Sequence, residues 1–220
     1  MKAVVILSGG MDSSVTAYMA KKDGYDVIAV HFNYGQRTEQ KELEAFRAIA
    51  AGLNAKTYEI DLPFFEQIGA SALIDTSIAI PKEGIQPGIP VTYVPFRNGI
   101  FLSIAAAIAE KEGANALYIG VVEEDSSGYP DCREDFIKKM ESAINAGTRP
   151  QTNIRIKTPL IHMKKEDIVQ LGLSLGVPLE KTWSCYESEE KACGECDSCR
   201  LRLKGFEKAG AKDKIPYKTT

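Results

Sequence analysis

Val4-Val5-Ile6-Leu7-Ser8-Gly9-Gly10-Met11-Asp12-Ser13-Ser14 joins an apolar run, a pair of glycines and a cluster of helix-capping residue types. The run predicts a buried parallel strand, and the polar cluster a helix start. Glycine lacks Cβ, so at 9 and 10 the backbone can take positive φ and approach a ligand closely. A helix start offers unpaired N–H groups and the positive end of the macrodipole, and both favour an anion. The stretch therefore predicts a phosphate site. It is not a Walker A loop, because no Lys-Ser/Thr follows the glycines, and the G-x-G-x-x-G of the dinucleotide fingerprint is absent. On the glycines alone, a strand-to-helix turn without ligand is the competing reading.

The whole string Ser8-Gly9-Gly10-Met11-Asp12-Ser13 resembles the S-G-G-x-D-S signature of the PP-loop ATP pyrophosphatases. Members of that family cleave ATP between its α- and β-phosphates and attach AMP to a substrate oxygen. The resemblance implies that Leu7, Ser8, Gly9, Gly10, Met11, Asp12, Ser13 and Ser14 hold ATP with its Mg²⁺. It also implies an adenine nucleotide alpha-hydrolase-like fold.

Working outward, Val27–Phe32 reads as a second buried strand, which makes a βαβ unit with the helix predicted over 13–22. His31 within it reads as a core histidine. A helix over 39–51 carries Leu43, Phe46, Ile49 and Ala50 on one face, with Gly52 closing it. Further strands are predicted at 56–60, 116–120 and 154–157, and further helices at 63–70, 99–111, 134–145 and 164–175, the last interrupted by Gly172. Alternating strands and helices predict a doubly wound, mostly parallel α/β sheet. Ligands in such sheets sit beyond the carboxyl ends of the strands. The loops there carry Tyr34, Gln36 and Arg37, then Asp125, Tyr129, Asp131, Cys132 and Arg133. By composition alone each is equally a solvated loop residue. The irregular stretch 71–92 is long enough to cover an active site. Arg97 and Asn98 fall at a helix N-terminus, where the dipole disfavours arginine unless an anion is near.

The chain has 220 residues, 44% hydrophobic and 26% charged, with a formal net charge of −3. That suits one core, and it argues for a small-molecule substrate rather than nucleic acid. No signal-peptide pattern precedes the first strand, and no apolar run nears the ~18 residues of a membrane span. The chain reads as cytoplasmic.

Cys185, Cys193, Cys196 and Cys199 follow C-x7-C-x2-C-x2-C. Four thiolates with no open position predict a structural zinc site, one Zn²⁺ per chain. An iron–sulfur cluster or disulfides are the other readings of that spacing. Lys191, Arg200 and Arg202 would offset its negative charge. Leu201, Leu203 and Phe206 predict a short helix that packs back, followed by a mobile tail from Gly210. The organisation expected is a nucleotide-binding domain over 1–180 with a small zinc-binding helical element over 181–220.

Three strings narrow the resemblance: Tyr34-Gly35-Gln36-Arg37, Val94-Pro95-Phe96-Arg97-Asn98 and Gly128-Tyr129-Pro130-Asp131-Cys132-Arg133. With the cysteine knuckle they resemble the 7-cyano-7-deazaguanine synthase family over nearly the whole chain. Thr38 and Phe96 depart from that pattern, standing where a histidine and a glycine are expected. The resemblance implies conversion of a 7-carboxy-7-deazaguanine, with ATP and ammonia, into the nitrile through adenylated acid and amide. It implies Ser8, Asp12, Arg97, Asp131 and Arg133 as reacting-centre residues and Arg37 on ATP. Tyr34, Gln36, Asn98, Asp125, Tyr129, Asp131 and Cys132 would face the substrate, and the protein would be a homodimer. Two rival readings are a PP-loop tRNA-thiolating enzyme using Cys132 and a zinc-stabilised ATP-binding module without catalysis.

Overall fold

A computed structural model describes residues 1–84, 88–123 and 128–218. In order the elements are β1 (Lys2–Ile6), α1 (Met11–Lys22), β2 (Asp26–Asn33), α2 (Glu39–Leu53), β3 (Lys56–Asp61), α3 (Phe64–Ile68), α4 (Arg97–Glu112), β4 (Ala116–Ile119), α5 (Glu134–Gly147), β5 (Arg155–Lys157), α6 (Lys165–Ser174) and α7 (Asp197–Lys208). The strands form one five-stranded sheet, ordered β3-β2-β1-β4-β5, with every pairing parallel. Strand order reverses between β1 and β4, which is where open α/β sheets leave a crevice. Ile6 registers with Val30 and with Ile119, so β1 and β4 end side by side at that point while β2 runs on to Asn33.

Side-chain alternation distributes the helices. Ala3, Val5 and Leu7 point to the face covered by Ala17 and Ala20 of α1 and Phe46, Ile49 and Leu53 of α2. Val4 and Ile6 point to the other face, against Leu102, Ala105 and Ala109 of α4 and Ile137 and Ile144 of α5. The sheet is doubly wound, as expected. A third cluster joins Met11 and Val15 of α1 to Ile168 and Val169 of α6 and Phe206 of α7. His31 is a core residue, with Nδ1 3.2 Å from Leu7 O. Burial lowers its pKa, and its ring packs against Phe46.

Three local expectations are corrected, and one departure from the family pattern is explained. Gly52 lies inside α2, which ends instead at Asn54 in the left-handed region (φ 52°), a conformation asparagine tolerates. Gly172 does not interrupt α6. It lets the helix close on its neighbours, because a Cβ there would lie 3.0 Å from Val15 Cγ2. Phe96, in place of a glycine, keeps a glycine-like backbone at φ 54°. That conformation costs roughly 1 kcal/mol. It is offset by the ring lying over Gly99, where a Cβ would come 2.4 Å from Phe96 Cζ, and edge-on to Phe136. The described tail, residues 211–218, is pinned rather than loose. Ala192 N donates to Pro216 O and Lys218 N to Ala192 O.

Arg202 does the rest of that pinning. It is 1% exposed, and Nε and Nη2 grip the Asp213 carboxylate at 2.6 and 3.0 Å. Nη1 donates to Thr182 and Ser184, and Nη2 also to Leu179 O. It therefore ties α7 to the tail and to the segment before the cysteines, rather than balancing the thiolates.

Gly9 has φ 88°, and a Cβ on it would lie 2.5 Å from Glu42 O. Gly10 has ordinary φ, and its nearest obstacle would be Ser8 Oγ at 3.3 Å. Gly9→Ala is expected to lose at least about 2 kcal/mol of stability, and Gly10→Ala less than about 1. Urea midpoints check this, and equal losses at the two positions would contradict it.

Candidate active site and metal centre

A cavity of about 290 Å³ opens beyond the carboxyl ends of β1, β2 and β4. Its floor is the turn quoted at the outset. Gly10 is the N-cap of α1 in extended conformation, and no side chain caps the helix. Ser13 and Ser14 hydroxyls bond back to Gly10 O at 3.0 and 2.8 Å, and Gly10 N donates to Ser8 Oγ at 3.2 Å. The serines thus brace the turn instead of capping it. The first turn of α1, from Met11 to Ser13, lines the cavity with its N–H groups uncapped.

Beside it, Lys165 Nζ meets Asp12 Oδ2 at 2.9 Å. Asp12 Oδ1 is buried and has no partner among the described residues. Across the cavity, Arg97 opens α4. Among the described residues its hydrogen bond goes to Tyr34 Oη at 2.8 Å, and its guanidinium lies over the Tyr34 and Phe101 rings. Burial opposes that charge, but Tyr34, Tyr129, Asp131 and Cys132 outweigh it and hold the pKa above the usual arginine value. The cation at a helix start is therefore built in and charged.

The other expected residues divide. Tyr129 and Asn98 line the cavity, the former bonded to Thr92 Oγ1 at 2.6 Å. Cys132 lines it too, with Sγ accepting from Asn98 Nδ2 at 3.3 Å. Arg37 is on the wall, but Nη2 donates to Asp75 O and Ile78 O, fastening the irregular stretch that supplies Leu73 and Thr92. Tyr34 and Gln36 are buried, with Tyr34 N donating to Gln36 Oε1. Burial pushes the Tyr34 phenol up to about 12. Asp131 and Arg133 are not brought to the cavity. Asp131 is 3% exposed and accepts Asn98 N–H at 2.9 Å, capping α4, while burial raises its pKa. Arg133 is exposed at the N-cap of α5. Asp125 lies outside the described residues.

Cys185, Cys193, Cys196 and Cys199 are buried, and their Sγ atoms all lie within 4.8 Å of one another. Cys193 and Cys199 sulfurs are 3.9 Å apart. Tetrahedral ligands at ~2.3 Å from one ion sit roughly 3.8 Å apart, so the cluster is able to hold a metal. Cys185 Sγ accepts N–H from Glu187 and Cys193, and Cys193 Sγ from Glu195 and Cys196, the bonds that orient thiolate ligands.

The chain matches the family of the queuosine biosynthesis protein QueC over residues 2–210. It belongs to the QueC family. It is 90% identical, over the full length of both, to the 7-cyano-7-deazaguanine synthase of a Nitratiruptor species. It is 69% identical to the one of Nautilia profundicola, over 99% of this chain and 98% of that protein. Two solved structures share the fold. One is a predicted tRNA methyltransferase subunit from Methanocaldococcus jannaschii, with TM-score 0.52 and 19% identity over 99% of this chain and 92% of that one. The other is a 4-thiouridine synthetase in complex with RNA and ATP, with TM-score 0.55 and 20% identity over 98% of this chain and 47% of that one.

The cavity also holds residues that the sequence reading did not single out. Trp183, Ser184, Tyr186, Asp197 and Ser198 form a wall from the C-terminal element. Trp183 N donates to Gly9 O at 2.9 Å, and Thr38 Oγ1 lies 3.1 Å from Cys185 O, which docks that wall on the turn. Lys165 had a readable signal: Lys164-Lys165 opens a helix, the same dipole conflict that marked Arg97. Glu42 had none, since Glu39 and Glu44 are equally acidic neighbours on the same helix. Its carboxylate accepts from Thr38 at 2.8 Å and Gln36 at 3.3 Å.

Burial pushes Glu42 up to about 7 from 4.5. The folded chain then holds a proton there that the unfolded chain releases. That contribution is full below pH 4.5 and is lost as pH rises through about 7. Glu42→Gln is expected to flatten this slope, gaining on the order of 1–3 kcal/mol on the parent between pH 4 and 8. Urea midpoints at several pH values check it; parallel curves for parent and variant would contradict it.

Proposed function

We propose that this QueC family member converts 7-carboxy-7-deazaguanine, ATP and ammonia into 7-cyano-7-deazaguanine. The observation that carries the reading is one cavity joining an uncapped helix start to a half-buried arginine, in a chain 90% identical to a protein named for that product. ATP supplies the activation, turning a poor electrophile into an acyl phosphate ester with loss of pyrophosphate. The first-turn N–H groups of α1 take the triphosphate and stabilise charge as it grows. Lys165, held by Asp12, adds a cation beside them. Asp12 is the residue that would hold Mg²⁺ carried with the nucleotide. Arg97 presents a planar fork to the substrate carboxylate and α-phosphate. Tyr129, Asn98 and Cys132 form the pocket for the deazapurine. Asp131 acts one step back, by holding the start of α4.

The four cysteines would hold one structural zinc, which cross-links residues 185–199 and so stiffens the wall built by 183–202. On this reading parts 1–180 and 181–220 complete one site between them, ammonia enters from solution, and the protein works as a cytoplasmic homodimer without nucleic acid. A sulfur-transfer role for Cys132 is disfavoured, since its thiol is 6% exposed and bonded to Asn98.

Incubation with ATP, Mg²⁺, ammonium and the acid, followed by mass spectrometry, should yield the nitrile with AMP and pyrophosphate. AMP release stimulated only by tRNA would instead support thiolation, and absence of any ATP cleavage a binding module. Arg97→Lys should lower nitrile formation by about 10²–10³-fold, because the ammonium loses the bidentate geometry. A variant as active as the parent would remove Arg97 from the site. Metal analysis should return one zinc per chain. Chelation should shift the emission of Trp183, the one tryptophan, which is 3% exposed and bonded to Ser188 O. Iron, or no metal, would overturn that assignment.

A further inference from the structure

The reaction proposed above makes a demand that none of the residues assigned to it meets. A nitrile nitrogen carries no hydrogen, so ammonia must lose every proton it brings, and ammonium one more. In the first stage the C–N bond forms, the bond from carbon to the AMP oxygen breaks, and the nitrogen sheds a proton. In the second the amide oxygen departs on a second AMP and the nitrogen sheds its remaining two. A proton acceptor must therefore line the cavity.

Among the described residues three carboxylates do: Asp12, Glu42 and Asp197. Asp12 holds Lys165 through Oδ2, and its Oδ1, unpartnered among the described residues, is left for the nucleotide's Mg²⁺ on the assignment above. Asp197 sits within the cysteine knuckle, between Cys196 and Cys199. Glu42 is in the first turn of α2, whose backbone touches the phosphate turn. The Glu42 carbonyl occupies the space a Cβ on Gly9 would fill. Its carboxylate lines the cavity on the side of the Gly9 turn.

The hydrogen bonds around it fit two protonation states without moving a heavy atom. Thr38 Oγ1 lies 2.8 Å from Glu42 Oε1 and 3.1 Å from Cys185 O. A hydroxyl has one proton, so it cannot serve both acceptors at once. With Glu42 ionised, Thr38 donates to it. With Glu42 protonated, Oε1–H donates to Thr38, and the Thr38 proton turns to Cys185 O. Gln36 Nε2 donates to Oε2 in either state. The charged and titratable groups that face this carboxylate are Arg97 from α4, Tyr34 from the loop after β2 and Glu39 on its own helix. Their net effect with burial leaves it half-ionised near neutrality, the range in which a proton acceptor works best.

We propose that the Glu42 carboxylate binds the ammonium ion and accepts the protons that its nitrogen sheds, on the reading of function given above. The ligand class is a small cation that becomes a neutral nucleophile. Acid activation needs no such acceptor, which separates the two half-reactions.

The test uses full-length zinc-loaded protein, with Glu42→Gln and Glu42→Asp compared with the parent. First, the parent must release pyrophosphate in the presence of the acid and form nitrile when ammonium is added. If it does not, the function itself is wrong, and this proposal falls with it before any variant is read. Given that activity, Glu42→Gln should keep parental acid-dependent pyrophosphate release. It should lose nitrile formation by about 10²-fold or more at pH 7. The limb of its pH profile near neutrality should disappear, and its KM for ammonium should rise. Glu42→Asp should retain part of the rate. Hydroxylamine, uncharged at neutral pH, needs no proton removed before it attacks and sheds only one on forming hydroxamate, so its rate in Glu42→Gln should fall far less than nitrile formation does. Parental nitrile formation by Glu42→Gln would overturn the proposal. So would an equal loss of pyrophosphate release and hydroxamate, since that is the mark of a merely structural residue.

Discussion

The Gly9 peptide is held between two walls, and the site depends on that contact. On one side, Glu42 O and Phe46 N of α2 stand 2.5 and 2.9 Å from the position a Cβ would take. On the other, Trp183 N–H donates to Gly9 O at 2.9 Å. Only glycine fits, because the position combines positive φ with backbone on both sides. The contact brings the first turn of α2 against the phosphate turn and makes residues 183–202 the outer wall. It also leaves the start of α1 open, since the neighbouring serines brace Gly10 and cap nothing. Gly120 repeats the device at the end of β4, where a Cβ would lie 2.9 Å from Asp12 C and Ser13 N.

The charged groups around the cavity are each anchored differently. Lys165 is balanced by Asp12, Arg37 by two carbonyls and Arg202 by Asp213. Arg97 is held by a phenol and two aromatic faces, with the Asp131 carboxylate on the next backbone N–H. The carboxylate at Asn98 N–H relieves the conflict between a cation and the positive end of α4. Arg97 is thereby kept charged at the edge of the cavity.

Much of this was legible in the sequence. β1, β2 and β4 follow from apolar runs, β3 and β5 from short stretches that mix polar and apolar residues, and the turn at Gly9 from residue type. The cysteine spacing is local, so its convergence could be read without the fold. What escaped depends on distant packing. Asp131 and Arg133 stand in the most telling string, but a 3₁₀ turn at 130–132 sends one to α4 and the other to solvent. Periodicity says nothing of where a short turn aims its side chains. Asn54 replaced Gly52 as the helix end because the chain ran on for two residues more, a boundary that propensity resolves poorly. Phe96 kept a glycine conformation because Gly99, on the next turn, makes room for its ring. The tail from Gly210 looked polar and free, but Asp213 answers the buried guanidinium of Arg202, a pairing no local pattern reveals.

The central claim is that one cavity, floored by the Gly9 turn, holds nucleotide phosphates at the start of α1 and the acid toward Arg97. A crystal structure with the acid and an ATP analogue uncleavable between its α- and β-phosphates tests it most directly. The account predicts phosphate oxygens within hydrogen-bond distance of the first-turn N–H groups of α1, and the acid's carboxylate against the Arg97 guanidinium. Phosphates bound instead in the lysine-lined groove between α6 and α7, formed by Lys164, Lys204 and Lys208, would contradict it.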